Sequence, residues 1–125
     1  MNVVDSSGWL EFFTDGPNAS FFAPAIEDQK RLLIPSISLF EVFKRLHLQG
    51  GAEVALQAMM SMHGGKVVDL DGPLAQRAAL LSLRLRLPMA DSVILATAQA
   101  YRAKLWTQDA DFEGMDGVEY TPRRP

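Results

Sequence analysis

The chain has no cysteine and only two histidines, His47 and His63. The first absence excludes disulfides, thiolate zinc sites and cysteine nucleophiles. The second leaves too few imidazoles for a metal site built on several histidines. A metal held here would therefore be a hard cation on oxygen ligands. No apolar run reaches the roughly 20 residues that a membrane span needs. The patterns GxxxxGK[ST], GxGxxG and GxSxG are also missing, which removes support for a P-loop NTPase, a standard dinucleotide enzyme and a serine hydrolase. Neither sign of charge dominates. The 15 acids and 12 bases leave a net charge of −3, which is not the footprint of a protein that coats nucleic acid electrostatically. The opening MNVVDSSGWLEFF carries no basic leader and meets an acid at position five, so no signal peptide is expected and the protein is read as cytoplasmic.

What the chain does have is apolar matter in periodic order. Hydrophobic residues make up 48% of 125, enough for a real core. Short apolar runs at 2–5 (NVVD), 31–36 (RLLIPS), 66–71 (KVVDLD), 104–109 (KLWTQD) and 117–121 (GVEYT) read as strands. Helical stretches lie between them. SSGWLEFF comes first, then ASFFAPAIEDQK with Pro24 inside it. ISLFEVFKRLHLQ is stopped by Gly50 and Gly51, and EVALQAMMSM follows. Asp71 caps the next helix, with Pro73 near its first turn and Leu74, Ala78, Leu81 and Leu85 as its expected buried stripe. LPMADSVILATAQA, residues 87–100, is the last, and DFEGM is a turn. Strands alternating with helices predict an α/β fold: a single three-layer domain over residues 1–125, with a central, mainly parallel sheet of about five strands covered by helices on both faces.

In open sheets of this kind, ligands bind outside the carboxyl ends of the strands. Asp5 ends the first expected strand and Asp109 the fourth, while Asp91 opens the helix that feeds the fourth. Each has an ordinary reading as well. Asp5 can cap the following helix, Asp91 can compensate a helix dipole that also favours its anion, and Asp109 or Asp111 can cap a turn. In ISLFEVFKRL the apolar stripe is Leu39, Phe40, Phe43 and Leu46, so Glu41 points away and Arg45, four residues on, can pair with it. By itself this reads as a surface glutamate. His47 reads as a packed or edge histidine and His63 as a loop residue, neither with a partner for acid–base catalysis.

The ordered frames NVVDSSGWLEFF, IPSISLFEVFKRL, LPMADSVILATA and LWTQDADFE, which span nearly the whole chain, resemble the PIN domain, and more narrowly the toxin ribonucleases of VapBC toxin–antitoxin pairs. The resemblance implies that Asp5, Glu41, Asp91 and Asp109 form a catalytic, metal-binding quartet. Ser6 and Thr107 would act as supporting hydroxyls and Asp111 as an additional acid. It also reverses the bare reading of Glu41, because a side chain facing away from the core stripe can face a cleft.

Four converging carboxylates disfavour one another's ionisation, and a divalent cation relieves that. Mg²⁺ suits such a site, with Mn²⁺ as substitute. The implied activity is hydrolysis of RNA phosphodiester bonds by metal-activated water. Without the quartet, 11 acids remain against 12 bases, so the rest of the surface is nearly neutral. Arg31, Lys44, Arg45, Arg84, Arg86, Arg102 and Lys104 are candidate phosphate contacts. The implied partners are an RNA substrate, a VapB-type antitoxin that blocks the site and could present an arginine to the acids, and a second copy of the chain in a homodimer or larger toxin–antitoxin assembly. Trp9, Phe12, Phe13, Phe21 and Phe22 are many aromatics for two short helices, and any that the core does not take would form a groove for a partner helix. Two other readings stand beside this one. A PIN-like interaction module without catalysis has the same frames. A Mg²⁺-binding phosphoacceptor domain has strand-end acids too, but wants paired acids after its first strand and a lysine ending its last; here the pair, Asp69 and Asp71, follows the third strand.

Overall fold

Val3 and Val4 are adjacent, both fully buried, and belong to opposite layers of the molecule. That follows from the two-residue period of a strand. In the computed structural model, which describes residues 1–125, the strands are short: β1 (Asn2–Val4), β2 (Leu32–Pro35), β3 (Lys66–Val68), β4 (Lys104–Thr107) and β5 (Val118–Tyr120). All pair in parallel, in the order β3-β2-β1-β4-β5. Six helices connect them: α1 (Ser6–Phe13), α2 (Ala19–Glu27), α3 (Ser36–Gly50), α4 (Ala52–Met62), α5 (Gly72–Leu85) and α6 (Met89–Ala100). The expected α/β class holds, with a sheet parallel throughout.

Two apolar clusters fill the space on either side of the sheet. Val3, Leu33 and Leu105 face α5 and α6, and meet Leu74, Ala78, Leu81, Ile94 and Leu95. Val4, Leu32 and Ile34 face the other four helices, and meet Trp9, Phe22, Val42, Ala55 and Met62. Helix α6 is buried almost all round from Ser92 to Ala98, which explains why its sequence is apolar without a clear stripe.

The helix ends obey local chemistry. Asp71 accepts a hydrogen bond from the Leu74 amide at 3.0 Å and caps α5, with proline in its first turn. Gly51 separates α3 from α4 at φ 90°, a backbone conformation that a side chain resists. Strand boundaries fall inside the expected ones. Asp5 has left β1 to cap α1, and Asp69 and Leu70 are exposed beyond β3.

Two packing expectations are corrected. Leu85 does not complete the α5 stripe; it is exposed, one position before the left-handed Arg86 that ends the helix. On α3, Leu46 is buried and Leu39 and Phe43 pack against the core as expected, but Phe40 is 64% exposed, and Ser38 and Val42 complete the buried line. A helix buries residues at intervals of four, and the register here is set by Val42. Of the two readings offered for His47, the edge one holds: it is exposed, with its ring 5.7 Å from that of Phe43. Of the early aromatics, Trp9 and Phe22 are core and Phe12, Phe13 and Phe21 pack against it, so α1 and α2 leave no surplus aromatic groove.

Candidate metal centre

The sheet order reverses direction between β1 and β4, and the acids gather at the carboxyl ends of those two central strands. Asp5 directly follows β1 and is only 3% exposed. One of its oxygens accepts the Gly8 amide at 2.9 Å and the Ser7 hydroxyl at 2.7 Å. The other accepts the Thr107 hydroxyl at 2.5 Å. Asp5 is thus the cap of α1 and also a fixed corner of the cleft. Burial pushes its carboxyl above the usual range. The hydrogen bonds from Thr107, Ser7 and Gly8 pull it down, and the charge of Asp109 raises it further.

Thr107 joins the two strand ends. Besides donating to Asp5, its oxygen accepts the Asp109 amide at 2.9 Å. Asp109 caps a short 3-10 turn, Ala110–Phe112, by accepting the Asp111 amide at 3.0 Å. This turn places Asp111 beside Asp91 and Asp109. Carboxylate oxygens of Asp91, Asp109 and Asp111 lie within 4.8 Å of one another. The sequence set Asp111 below the other acids, yet it stands in this close group, whereas Asp5 and Glu41 do not.

Asp91 occupies the first turn of α6. Its carboxyl is pushed up to about 7, first by burial and then by the charges of Asp109, Asp5, Glu41 and Asp111. Those four causes name the same residues that the geometry gathers. The helix dipole was expected to keep Asp91 ionised, but burial, joined by the charges of the neighbouring acids, outweighs it. Glu41, in the second turn of α3, accepts the Ser6 hydroxyl at 2.6 Å. The expected ion pair with Arg45 does not form, since only Arg31–Asp28 and Lys104–Glu119 lie within pairing distance. All four quartet acids line one open cavity of about 760 Å³, with Ser6 and Ser7 beside them.

The donor set suits a hard divalent cation. Every converging group is a carboxylate, and neither histidine lines the cavity. Asp69 and Asp71 belong to a separate hollow beside β3 at the sheet edge, away from Asp5. That separation removes the acid pair a phosphoacceptor site requires.

Sequence reasoning missed a polar brace beneath the cleft. Gln108 is buried between Thr107 and Asp109. It donates to Glu11 at 3.2 Å and to the Ser7 carbonyl at 3.4 Å, and accepts from Asn18 at 2.9 Å. Asn18, also buried, donates to the Pro122 carbonyl at 3.0 Å and accepts from Arg124 at 2.9 Å. Arg124 further donates to the Pro17 carbonyl. The C-terminal residues are therefore tied across α1 and α2, and Arg123 lines the cavity. Of the seven cations proposed as phosphate contacts, only Lys44 and Arg45 line it.

The fold and site together define a parallel α/β domain with a carboxylate cluster at its switch point. A model of the PIN domain matches residues 3–118, and the chain belongs to that family. No curated protein sequence matches it. Its fold is similar to a toxin–antitoxin complex from Klebsiella pneumoniae, with a TM-score of 0.83 and 24% identity over 100% of both chains. It is also similar to VapC20 of Mycobacterium tuberculosis, described as a Sarcin-Ricin loop cleaving toxin, with a TM-score of 0.78 and 17% identity over 94% of this chain and 98% of that one. DNA-bound VapBC from Salmonella typhimurium gives a TM-score of 0.74 and 18% identity over 97% and 96%. At these identities the likeness establishes the fold.

Proposed function

We propose that this PIN domain, occupying residues 1–125, is a Mg²⁺-dependent endoribonuclease of the cytoplasm and the toxin of a VapBC-type pair. The observation that carries the reading is the gathering of Asp91, Asp109 and Asp111, whose carboxylate oxygens lie within 4.8 Å of one another, beside a cavity that Asp5 and Glu41 also line. A cluster so crowded is at odds with its own charge at neutral pH unless a cation shares it. Asp5, Glu41, Asp91 and Asp109 would hold the ion directly or through water, with Asp111 alongside. A bound Mg²⁺ or Mn²⁺ supplies Lewis acidity and a water acidic enough to ionise near neutral pH.

The chain's own residues supply position. Thr107, Ser7 and the Gly8 amide fix the Asp5 carboxylate, and Ser6 fixes one oxygen of Glu41. The second Glu41 oxygen is left to orient the attacking water toward phosphorus. The base strength needed is modest, because the proton leaves a water already acidified. Hydrolysis by water needs no 2′-hydroxyl, so the choice of RNA rests on the family and on the surface around the site. A VapB-type antitoxin and a second copy of the chain are the proposed partners, in keeping with neighbours described as toxin–antitoxin complexes. Exposed apolar side chains on α3 and α4 (Leu48, Leu56, Met60) and on α5 and α6 (Leu80, Leu83, Met89) offer such partners surface.

Incubating the purified protein with total cellular RNA tests this reading. Cleavage is expected with Mg²⁺ and lost with EDTA or in Asp5→Asn. Cleavage that persists in either arm means the site is wrong. The non-catalytic alternative predicts no cleavage under any of these conditions.

A further inference from the structure

Phe40 is the aromatic residue of α3 that the core rejects. It is 64% exposed, yet it lies on the wall of the acidic cavity, one position before Glu41. A phenyl ring exposed to this degree loses hydrophobic stabilisation, and a serine or lysine there would leave the core unchanged. One cation lies over the ring, and two more line the same cavity. Lys44 Nζ lies 5.7 Å from its centroid, and Arg45 and Arg123 line the same wall. None of these three forms an ion pair, although carboxylates crowd the cavity floor. The cations are therefore available to an anion that enters, and the ring to a flat partner.

We propose that Phe40, with Lys44 and Arg45, forms a binding subsite for an unpaired nucleotide next to the scissile phosphate. Phe40 stacks on the base, and the two cations contact the flanking phosphates. This deepens the nuclease reading and rests on it. The spacing agrees. Along α3, Arg45 lies roughly 6 Å beyond Glu41 at 1.5 Å per residue, about two stacked nucleotides at roughly 3.4 Å each. An aromatic face beside cations is the general means of holding single-stranded nucleic acid, and a base inside a duplex has no free face to offer it. The subsite thus selects loops and unpaired stretches. A peptide ligand is less suited, because the wall around Phe40 is mainly charged and polar rather than apolar.

Binding is measured by fluorescence anisotropy with a labelled single-stranded RNA octamer and a hairpin-free duplex of the same length, in the Asp91→Asn background with Mg²⁺. Cleavage by the corresponding variants of the active protein is followed in parallel. Phe40→Ala and Phe40→Leu should weaken single-strand binding roughly 5- to 100-fold, while Phe40→Trp stays within about twofold of the parent. Lys44→Ala and Arg45→Ala should each lower the slope of log K against log salt by about 0.7. Leu83→Ala, on the exposed face of α5, should change nothing. In the cleaving protein, Phe40→Ala should raise KM for single-stranded substrate more than it lowers kcat. If Phe40→Leu binds like the parent, the contact is merely apolar and the inference is overturned. It is overturned equally if Phe40→Ala binds and cuts normally, or if its loss is the same for duplex; the nuclease reading survives both results. A parent protein that neither binds nor cuts RNA removes both.

Discussion

The carboxylate of Asp5 caps a helix and lines the acidic cleft at once, and its neighbours show how one residue serves both ends. Its amide and hydroxyl donors satisfy a buried anion that would otherwise be strongly disfavoured. Thr107 is the most exposed to test, because its one oxygen serves two strand ends. Thr107→Val should cost roughly 1–3 kcal/mol in a urea melt, since Asp5 and the Asp109 amide each lose a partner. Thr107→Ser should retain most of that stability. Asp91 sets a pH dependence. Its carboxyl lies at about 7 in the folded protein and near 3.8 when unperturbed. Below about 4 the proton is bound in both states and Asp91 imposes no penalty. Between the two values the unfolded chain has ionised and the folded one has not, so metal-free stability falls as pH rises through this window. Mg²⁺ should therefore raise Tm more at about pH 7.5 than at about pH 5. Asp91→Asn should flatten the metal-free slope. A wild-type Tm that climbs from pH 4 to 7 relative to that variant would contradict the account.

At the scale of elements, the helices act as mounts. Helix α6 is buried along seven consecutive residues, Ser92 to Ala98, which makes it a rigid base for Asp91 just before them. Helix α1 must lie close against α2 and β1 for Asp5 to reach Thr107. Gly8 permits this: a methyl group there would sit 2.6 Å from the Phe22 ring and 2.7 Å from Val4. Gly8→Ala should lower stability by about 1–3 kcal/mol in thermal or chemical melts and loosen the turn that carries Asp5. Element order was legible in the sequence because it depends on local signals: β-branched runs, the Asp71 cap, and glycines after α3. The α3 register was not. Phe40 and Val42 are both apolar, and only the sheet beneath decides which is buried.

At the scale of the molecule, what the sequence hid is what distance hides. Asp5, Asp91 and Asp109 were readable because strand ends and helix starts are local features, and a parallel sheet brings them together. Glu41 was readable only through its family frame, since a helical wheel cannot distinguish a cleft from bulk solvent. The brace joining Asn18 to Gln108 and Arg124 links residues 90 and 106 positions apart, and no periodicity announces it. Asp111 entered the cluster through a 3-10 turn that its own neighbour caps. Asp91, Asp109 and Asp111 stand within 4.8 Å of one another beside the cavity that Asp5 and Glu41 line, and the proposed cation would share that cluster. The most direct test is the rate of cleavage of a fluorescent single-stranded RNA against Mn²⁺ concentration. It compares wild type with Asp91→Asn and with Asp69→Asn, an exposed acid at the far edge of the sheet. The account predicts saturable, EDTA-sensitive cleavage in wild type and Asp69→Asn, and loss of at least roughly 100-fold in Asp91→Asn with its fold intact. Wild-type rates in Asp91→Asn, or rates indifferent to Mn²⁺, would contradict it.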